Sequence, residues 1–531
     1  MIDKAGNLFA TAYLFLIFCI YPFYMKEGYV NIGEAKHEFL VYCSLGGLVI
    51  LLVLSIVQGV MGIWRRYCMR EAYLIRWEQV RISVTDILAA LYGIEITVSY
   101  LLSDHRQEAL WGTEGWRMGL VLQLTFCGLY FAVSRMWKGD AGIWYWVLAS
   151  SGFVFLLGIL DRFSLYVIPL EIRNPGFIST LGNINWFCGY LSVLAPAGAC
   201  LFLFQDNRLT RWIAGIYLMI SFMAGFGQGS SSAFLLFAAL FLITLWIAVS
   251  RREWVTRWFF MGALWGLSAQ IIGVLRTVPG LNYNYETDNA CGLFTGSWLP
   301  GCLAVLCLLG GVIAGRKRET AGFKESKYKK VRCLLVVIIA SVVILWGAAI
   351  WFNTKWAIPG LSDRAAVFLF DDAWGNGRGA TWKAGVEIFR QMNVREKIFG
   401  AGPDCFSAFA YGNSQIAGWL RDYFGDSRLT NAHNELLTSL VNVGIAGTVF
   451  YLGIFVSGAY RYMKRAEENP YLTIPVVCIF CYLVHNMVSF AQVLNFPFVF
   501  LMIAMGESMI RNKQTKSLTK NVPFSTIMHR Q

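Results

Sequence analysis

About fourteen apolar runs, each roughly 17 to 25 residues long, decide what this sequence can become. A helix of that length crosses the ~30 Å hydrocarbon core of a bilayer, where only helices and closed barrels pair every backbone polar group. Barrel strands are shorter and alternate polar with apolar residues, so the runs predict an all-α polytopic membrane protein with 12 to 14 transmembrane helices. The expected spans are 5–24, 39–63, 82–102, 117–134, 141–160, 185–204, 212–227, 232–249, 258–275, 298–314, 333–352, 444–460, 472–490 and 494–510. Composition agrees: apolar residues fill 57% of 531 positions and charged residues 15%, too few charges for a soluble chain of this size. No small-residue cleavage site follows Leu8 to Tyr24, which reads as a retained helix and not a signal peptide.

The net charge of +13 does not point to nucleic acid, because the basic residues form no continuous patch with interleaved aromatics. They alternate between connections instead. Arg65, Arg66, Arg70 and Arg76 follow the second span, Arg251, Arg252 and Arg257 the eighth, Arg316 to Lys330 the tenth, and Arg461, Lys464 and Arg465 the twelfth. The positive-inside rule then places these loops and both termini in the cytoplasm. Most of the thirteen cysteines lie within apolar runs as small hydrophobes. Cys291 and Cys405 fall in outer connections, where a bridge between them is conceivable.

One connection is long. Residues 353–443 form a predicted extracytoplasmic loop of about 90 residues within a single membrane domain spanning 1–531. Trp382, Val386 and Phe389 recur at helical spacing with Lys383, Glu387 and Arg390 opposite, predicting an amphipathic helix on the membrane or over the bundle. Gly400, Gly402 and Pro403 predict a turn. Asn431 is placed to cap a short helix with the stripe Leu436, Leu437, Leu440 and Val441, ahead of the twelfth span. The polar cytoplasmic tail, 511–531, reads as disordered.

Within this frame a few residues could do chemistry. His433 falls in the first turn of the predicted short helix, where the positive end of the dipole disfavours imidazolium and keeps the ring neutral and able to accept a proton. The alternative is a histidine packed on the leucine ridge. Arg378 shares a helical face with Trp382 four residues on, and its guanidinium matches phosphate oxygens in bidentate geometry. Arg276, Arg364 and Arg421 are further candidates for that role. Asp371 and Asp372 could bind a divalent cation, although adjacent loop acids are usually only solvated. Glu95 sits near the middle of the third span and Asp86 near its inner end; nine residues apart, they face opposite ways, and Asp86 is expected to reach the interface. His485 and Asn486 are expected to hydrogen-bond neighbouring helices.

Several segments together resemble the O-antigen ligase and polymerase superfamily of bacterial membrane glycosyltransferases, over roughly 180–506. In chain order they are Gly182-Asn183-Ile184-Asn185 with Gly189-Tyr190-Leu191, Gly229-Ser230-Ser231-Ser232-Ala233, and Arg378 with Trp382. Next come Phe399-Gly400-Ala401-Gly402-Pro403 with Phe406, Asn431-Ala432-His433-Asn434-Glu435-Leu436 with Gly444 and Gly447, and His485-Asn486-Met487-Val488-Ser489-Phe490. The resemblance implies that His433 is the catalytic base and Arg378 one of two phosphate-facing arginines. The family's other arginine follows a serine at the outer end of a helix. Ser230-Ser231-Ser232 stands there in this chain, and Arg276 or Arg364 would have to reach in. Asn183, Asn185, Ser231, Trp382, Gly402 and Asn434 are the expected substrate-binding neighbours.

The implied activity is inverting transfer of a glycan from undecaprenyl diphosphate to an acceptor hydroxyl, on the outer face of a bacterial cytoplasmic membrane. The expected partners are the lipid-linked glycan, an acceptor glycan, lipid or wall polymer, and membrane lipids, without nucleic acid. No metal or other cofactor is expected, because arginines placed beforehand can take the charge that accumulates on the departing diphosphate. Repeat-unit polymerisation shares these motifs. A transporter or lipid-linked glycan flippase, its path lined by Glu95, Asp86 and His485, is the alternative of another class.

Overall fold

The computed structural model describes residues 2–68, 82–316, 325–356, 368–426 and 428–520. Within them the chain is almost wholly helical, apart from a two-residue antiparallel ribbon pairing Phe177–Ile178 with Gly182–Asn183. Ten helices among the described residues are long and apolar enough to cross a membrane. Three shorter apolar helices, Leu120–Met136, Ser232–Ala248 and Pro470–His485, fall where further spans are expected, as does a last helix, Phe496–Lys520. That last helix carries the chain into the tail expected to be disordered. The lipid requirement is plainest in Glu325–Trp356, whose apolar window is not buried at all and whose Ile344 and Leu345 are 68% and 69% exposed. Such a surface is stable only against hydrocarbon, so the protein is a multi-pass membrane protein.

Ile184–Phe204 is the axis of the bundle, buried nearly throughout and packed by Arg208–Gly227, Ser232–Ala248 and Thr473–His485. At one end of the bundle buried charges tie helices together. Asp86 caps its own helix, Val84–Leu102, and accepts from Tyr130 Oη at 2.8 Å, from Arg135 at 3.3 Å and from Arg511, while Arg461 pairs with Glu507. A buried carboxylate needs such partners, since unpaired it would be strongly destabilising. Asp86 lies in the first turn of its helix, at the end where it was expected, and is 2% exposed. Glu95 lies deeper on the same helix and does not pair with it; both its carboxylate oxygens are buried without a partner among the described residues.

The opposite end carries the long loop, whose described part is folded. Trp374–Gln391, Val394–Phe399, Phe406–Gly412 and Ser414–Phe424 enclose a small core of their own around Ile388, Cys405, Phe406 and Leu420, closed by Val441 and by Ala109 from an earlier connection. Four points of the sequence reading meet the structure here. The loop helix buries its small residues, Ala380, Thr381, Ala384 and Gly385, and leaves Val386 55% exposed, because only small side chains permit the close approach to Ala432 and Leu437. Asp372 bonds Lys383 at 2.7 Å and Asp371 is exposed; among the described residues no group of three His, Cys, Asp or Glu could hold a metal. All thirteen cysteines are free, with Cys291 against the Ser230 carbonyl and Cys405 against Ser103, so no Cys291–Cys405 bridge forms.

The fourth point matters most for the site. The short helix expected after Asn431 and the twelfth span are one bent helix, Glu435–Met463, broken at Gly444 (φ 64°, ψ −171°). The bend rests on the Phe399–Pro403 motif. Ala401 and Gly402 donate their N–H groups to the Val441 and Asn442 carbonyls, each at 2.9 Å. A Cβ on Gly444 would lie 2.3 Å from the Ile398 carbonyl oxygen, and one on Gly400 2.2 Å from that of Asn442. Both contacts fall on backbone, which cannot move aside. Gly444→Ala is therefore expected to destabilise the protein by about 1–3 kcal/mol or more, read as a lower Tm in detergent, whereas Ile445→Ala, on an exposed position, leaves Tm nearly unchanged.

Candidate functional site

Arg378 owes its position to a left-handed turn. Gly375, Asn376 and Gly377 all have positive φ (61°, 63° and 82°), and regular helix begins only at Arg378. Two of the three are glycine, so the conformational cost falls on Asn376 alone. The turn aims the Gly375 carbonyl at Arg378 Nη1, 2.6 Å away, while Nε donates to the Val488 carbonyl at 2.8 Å. Nη2 has no acceptor among the described residues. Burial lowers the guanidinium's pKa, but from so high a starting value that it stays charged.

His433 is brought to the same place from the other side. It is not in the first turn of the helix, as expected. Asn434 is the cap, accepting from Leu437 N at 3.1 Å, and His433 precedes it in a left-handed conformation (φ 48°) with its N–H on Asn431 Oδ1 at 2.9 Å. The imidazole meets Phe490 in a T-shaped contact, at a centroid distance of 5.4 Å and an angle of 80°. The ring nitrogens have no hydrogen-bond partner among the described residues. Burial, and after it the positive charge of Arg378, lowers the pKa to about 4, so the ring is neutral at pH 7. Neutrality was expected from the helix dipole; desolvation and a neighbouring guanidinium are the causes instead.

Several bonds hold the two side chains in register. Thr381 Oγ1 donates to the Ala432 carbonyl at 2.8 Å, next to His433. Asn434 Nδ2 donates to Met487 O at 3.0 Å, Glu435 N to Asn486 O at 2.9 Å, and Ala491 N to the Glu435 carboxylate. The segment 486–491 is thus fixed to the head of the bent helix while Val488 holds Arg378. His485 bonds its neighbour Asn486 at 3.4 Å rather than another helix, and Arg378's charge reaches it. Behind Phe490 a cavity of about 40 Å³ is lined by Asp404, Asn431, Glu435 and Asn442.

The remaining candidates divide. Asn183 caps Ile184–Phe204; Asn185 Oδ1 accepts from Ser230 Oγ at 3.0 Å, and Ser232 Oγ meets Cys188 Sγ at 3.3 Å. Arg378's charge reaches Cys188, so the asparagine and serine motifs border the site. Ser231 is exposed, and Ser230 and Ser232 make the triplet's side-chain bonds. Trp382 is half-buried against Trp374, at 5.2 Å, and its indole N–H is buried without a partner among the described residues. Gly402 gives its N–H to the Asn442 carbonyl at the bend. Arg276 turns to Thr295 Oγ1 at 2.6 Å and the Gly292 carbonyl at 3.2 Å, in a pocket whose lining does not include Arg378. Arg421 is exposed on its own helix, and Arg364 lies outside the described residues.

Sequence reasoning missed Arg162. It is fully buried beneath the Gly227–Ser230 turn, donating to the carbonyls of Gly227 (3.2 Å), Gln228 (2.6 Å) and Pro175 (2.7 Å) and to Asn284 Oδ1 (3.2 Å). Its guanidinium therefore shapes the turn where the resembled family carries a serine–arginine pair. The signal was present: an arginine ending the apolar run Ile143–Arg162 needs a buried partner or a route to the interface.

No protein-family model matches the chain, and no curated protein matches it.

The electrostatic arrangement is testable without assuming a function. Histidine NMR titration in detergent should show His433 neutral down to about pH 4, and Arg378→Gln should move its pKa upward, because a nearby positive charge opposes protonation. An unchanged pKa in Arg378→Gln would separate the two side chains.

Proposed function

We propose that this protein transfers a glycan from undecaprenyl diphosphate to an acceptor hydroxyl, at the outer face of a bacterial cytoplasmic membrane. The observation that carries the reading is a neutral imidazole with free ring nitrogens, within electrostatic reach of a guanidinium whose Nη2 is unused among the described residues. The first can accept a proton and the second can take up negative charge, and glycosyl transfer from a diphosphate requires both.

In the step proposed, the acceptor oxygen attacks the anomeric carbon from the face opposite the diphosphate, inverting it. The anomeric C–O bond breaks and its electron pair leaves on the diphosphate oxygen, while the acceptor's proton passes to His433. Arg378 stabilises the charge that grows on the leaving group, so the chemistry needs no metal. Val386, exposed on the loop helix, and the uncovered part of half-buried Trp382 would lie against the lipid carrier. Both termini and the Asp86 cluster would then face the cytoplasm.

Anion binding also tunes the base. A diphosphate on Arg378 offsets the positive charge that depresses His433, so the ring becomes a stronger base when substrate is bound. The acid limb of kcat/KM, which reports free enzyme, should therefore lie at lower pH than the acid limb of kcat. Coincident limbs would contradict this coupling.

Direct tests are mutational. His433→Ala should reduce turnover roughly 10²–10⁴-fold with the protein still in the membrane, Arg378→Ala roughly 10²–10³-fold, and Arg378→Lys should rescue poorly because it loses the planar fork. Near-normal transfer by His433→Ala would remove the base from the mechanism. Gene deletion separates the acceptors: accumulated long lipid-linked chains mark a ligase, and accumulated single repeats a polymerase.

A further inference from the structure

The pocket holding Arg276 is unexplained by this chemistry. It has a volume of about 570 Å³ and opens to the surface between Arg252–Leu275 and the segment preceding Leu299–Arg316. That size falls within the range of about 300–1,000 Å³ usual for small-molecule sites. Its wall carries both donors and acceptors: Arg276, Gln270, Thr277, Asn282 and Thr287, with the ring of Tyr283.

Arg276 is built into place rather than left on a surface. Nη1 is anchored by Thr295 Oγ1 and the Gly292 carbonyl, and the guanidinium lies 5.1 Å from the Tyr283 ring centroid. Nε and Nη2 have no acceptor among the described residues. Gln270 Oε1 accepts from Gly301 N at 3.1 Å, which fixes the amide and leaves its NH₂ group unused among the described residues. A ring face, fixed amide and guanidinium donors, and hydroxyls together match a hydroxylated ring, which offers many donors and acceptors and one apolar face. The charges nearby narrow the class. Glu286 and Asp288 are exposed on either side of Thr287, so a polyanion is repelled and a neutral or singly acidic ring is preferred.

The pocket is also joined to the proposed reaction site. Tyr283 Oη donates to the Gly227 carbonyl at 3.1 Å, at the start of the turn whose Ser230 and Ser232 reach Asn185 and Cys188 beside Arg378. Cys291, on Ala290–Thr295 next to Gly292, lies against the Ser230 carbonyl. One turn of chain thus separates the pocket from the place where the diphosphate would sit.

We propose that this pocket is a saccharide subsite, holding neutral or singly acidic sugar units of the glycan beyond the one attached to the diphosphate. The proposal rests on the glycan-transfer reading. Arg276 orients those units and takes no part in bond breaking.

The test uses the full chain in detergent and, as probe, the oligosaccharide released by mild acid from the cell's own lipid-linked precursor. Saturation-transfer NMR should detect binding to the wild type and to His433→Ala. Binding should fall at least 10-fold in Arg276→Ala and in Asn282→Trp. The second variant fills the pocket from an exposed position without disturbing the anchor of Arg276, so it stays informative if Arg276→Ala folds poorly. Undiminished binding in a folded Asn282→Trp overturns the subsite. No binding by a wild-type protein that still transfers glycan also overturns it while sparing the transfer reading. No binding together with unchanged surface glycans after gene deletion overturns both.

Discussion

The hydrogen bond from Arg378 Nε to the Val488 carbonyl joins the two halves of the site. Arg378 begins a helix of the long loop, and Val488 lies in the segment that leaves Pro470–His485. His433 stands between them because Phe490, two residues past Val488, carries its ring. A guanidinium held by backbone carbonyls on two edges is oriented before any ligand arrives, as the proposed role of stabilising developing charge requires. The Thr381–Ala432 bond performs the same service for the imidazole, since it fixes the loop helix to the residue before His433.

Much of this was legible in the sequence. Each expected span overlaps an observed helix, because apolar runs of bilayer length leave the backbone little choice. His433 and Arg378 were legible as candidates and come together in space. Their setting was harder to read. Asn431 and Asn434 are equally good caps by residue type, and the left-handed conformation of His433, invisible in a propensity argument, gives the role to Asn434. The amphipathic stripe of Trp382, Val386 and Phe389 was legible, but not that the helix packs through Ala380, Ala384 and Gly385, where backbones approach closely. Arg162 escaped because its partners are backbone carbonyls distant in sequence, which no spacing rule encodes.

The two ends of the bundle treat charge in opposite ways. At one end Asp86, Glu507, Arg135, Arg461 and Arg511 pair as ions and tie four helices together. At the other, Arg162 is saturated by carbonyls, while Arg378 and His433 keep unused polar edges among the described residues. Buried polar groups are normally paired, so a cation and a base held together with unused edges are what the proposed reading builds on. The bend at Gly444 makes this geometry available by laying the head of Glu435–Met463 across the loop core instead of letting it continue straight.

The most direct measurement is a cryo-electron microscopy structure of the protein with undecaprenyl diphosphate bound. The account predicts density for the diphosphate on the Nη2 edge of Arg378, with the His433 ring facing the side from which an acceptor would approach and the polyprenyl chain leaving past Trp382. A lipid diphosphate seated elsewhere, touching neither Arg378 nor the surroundings of His433, would contradict it.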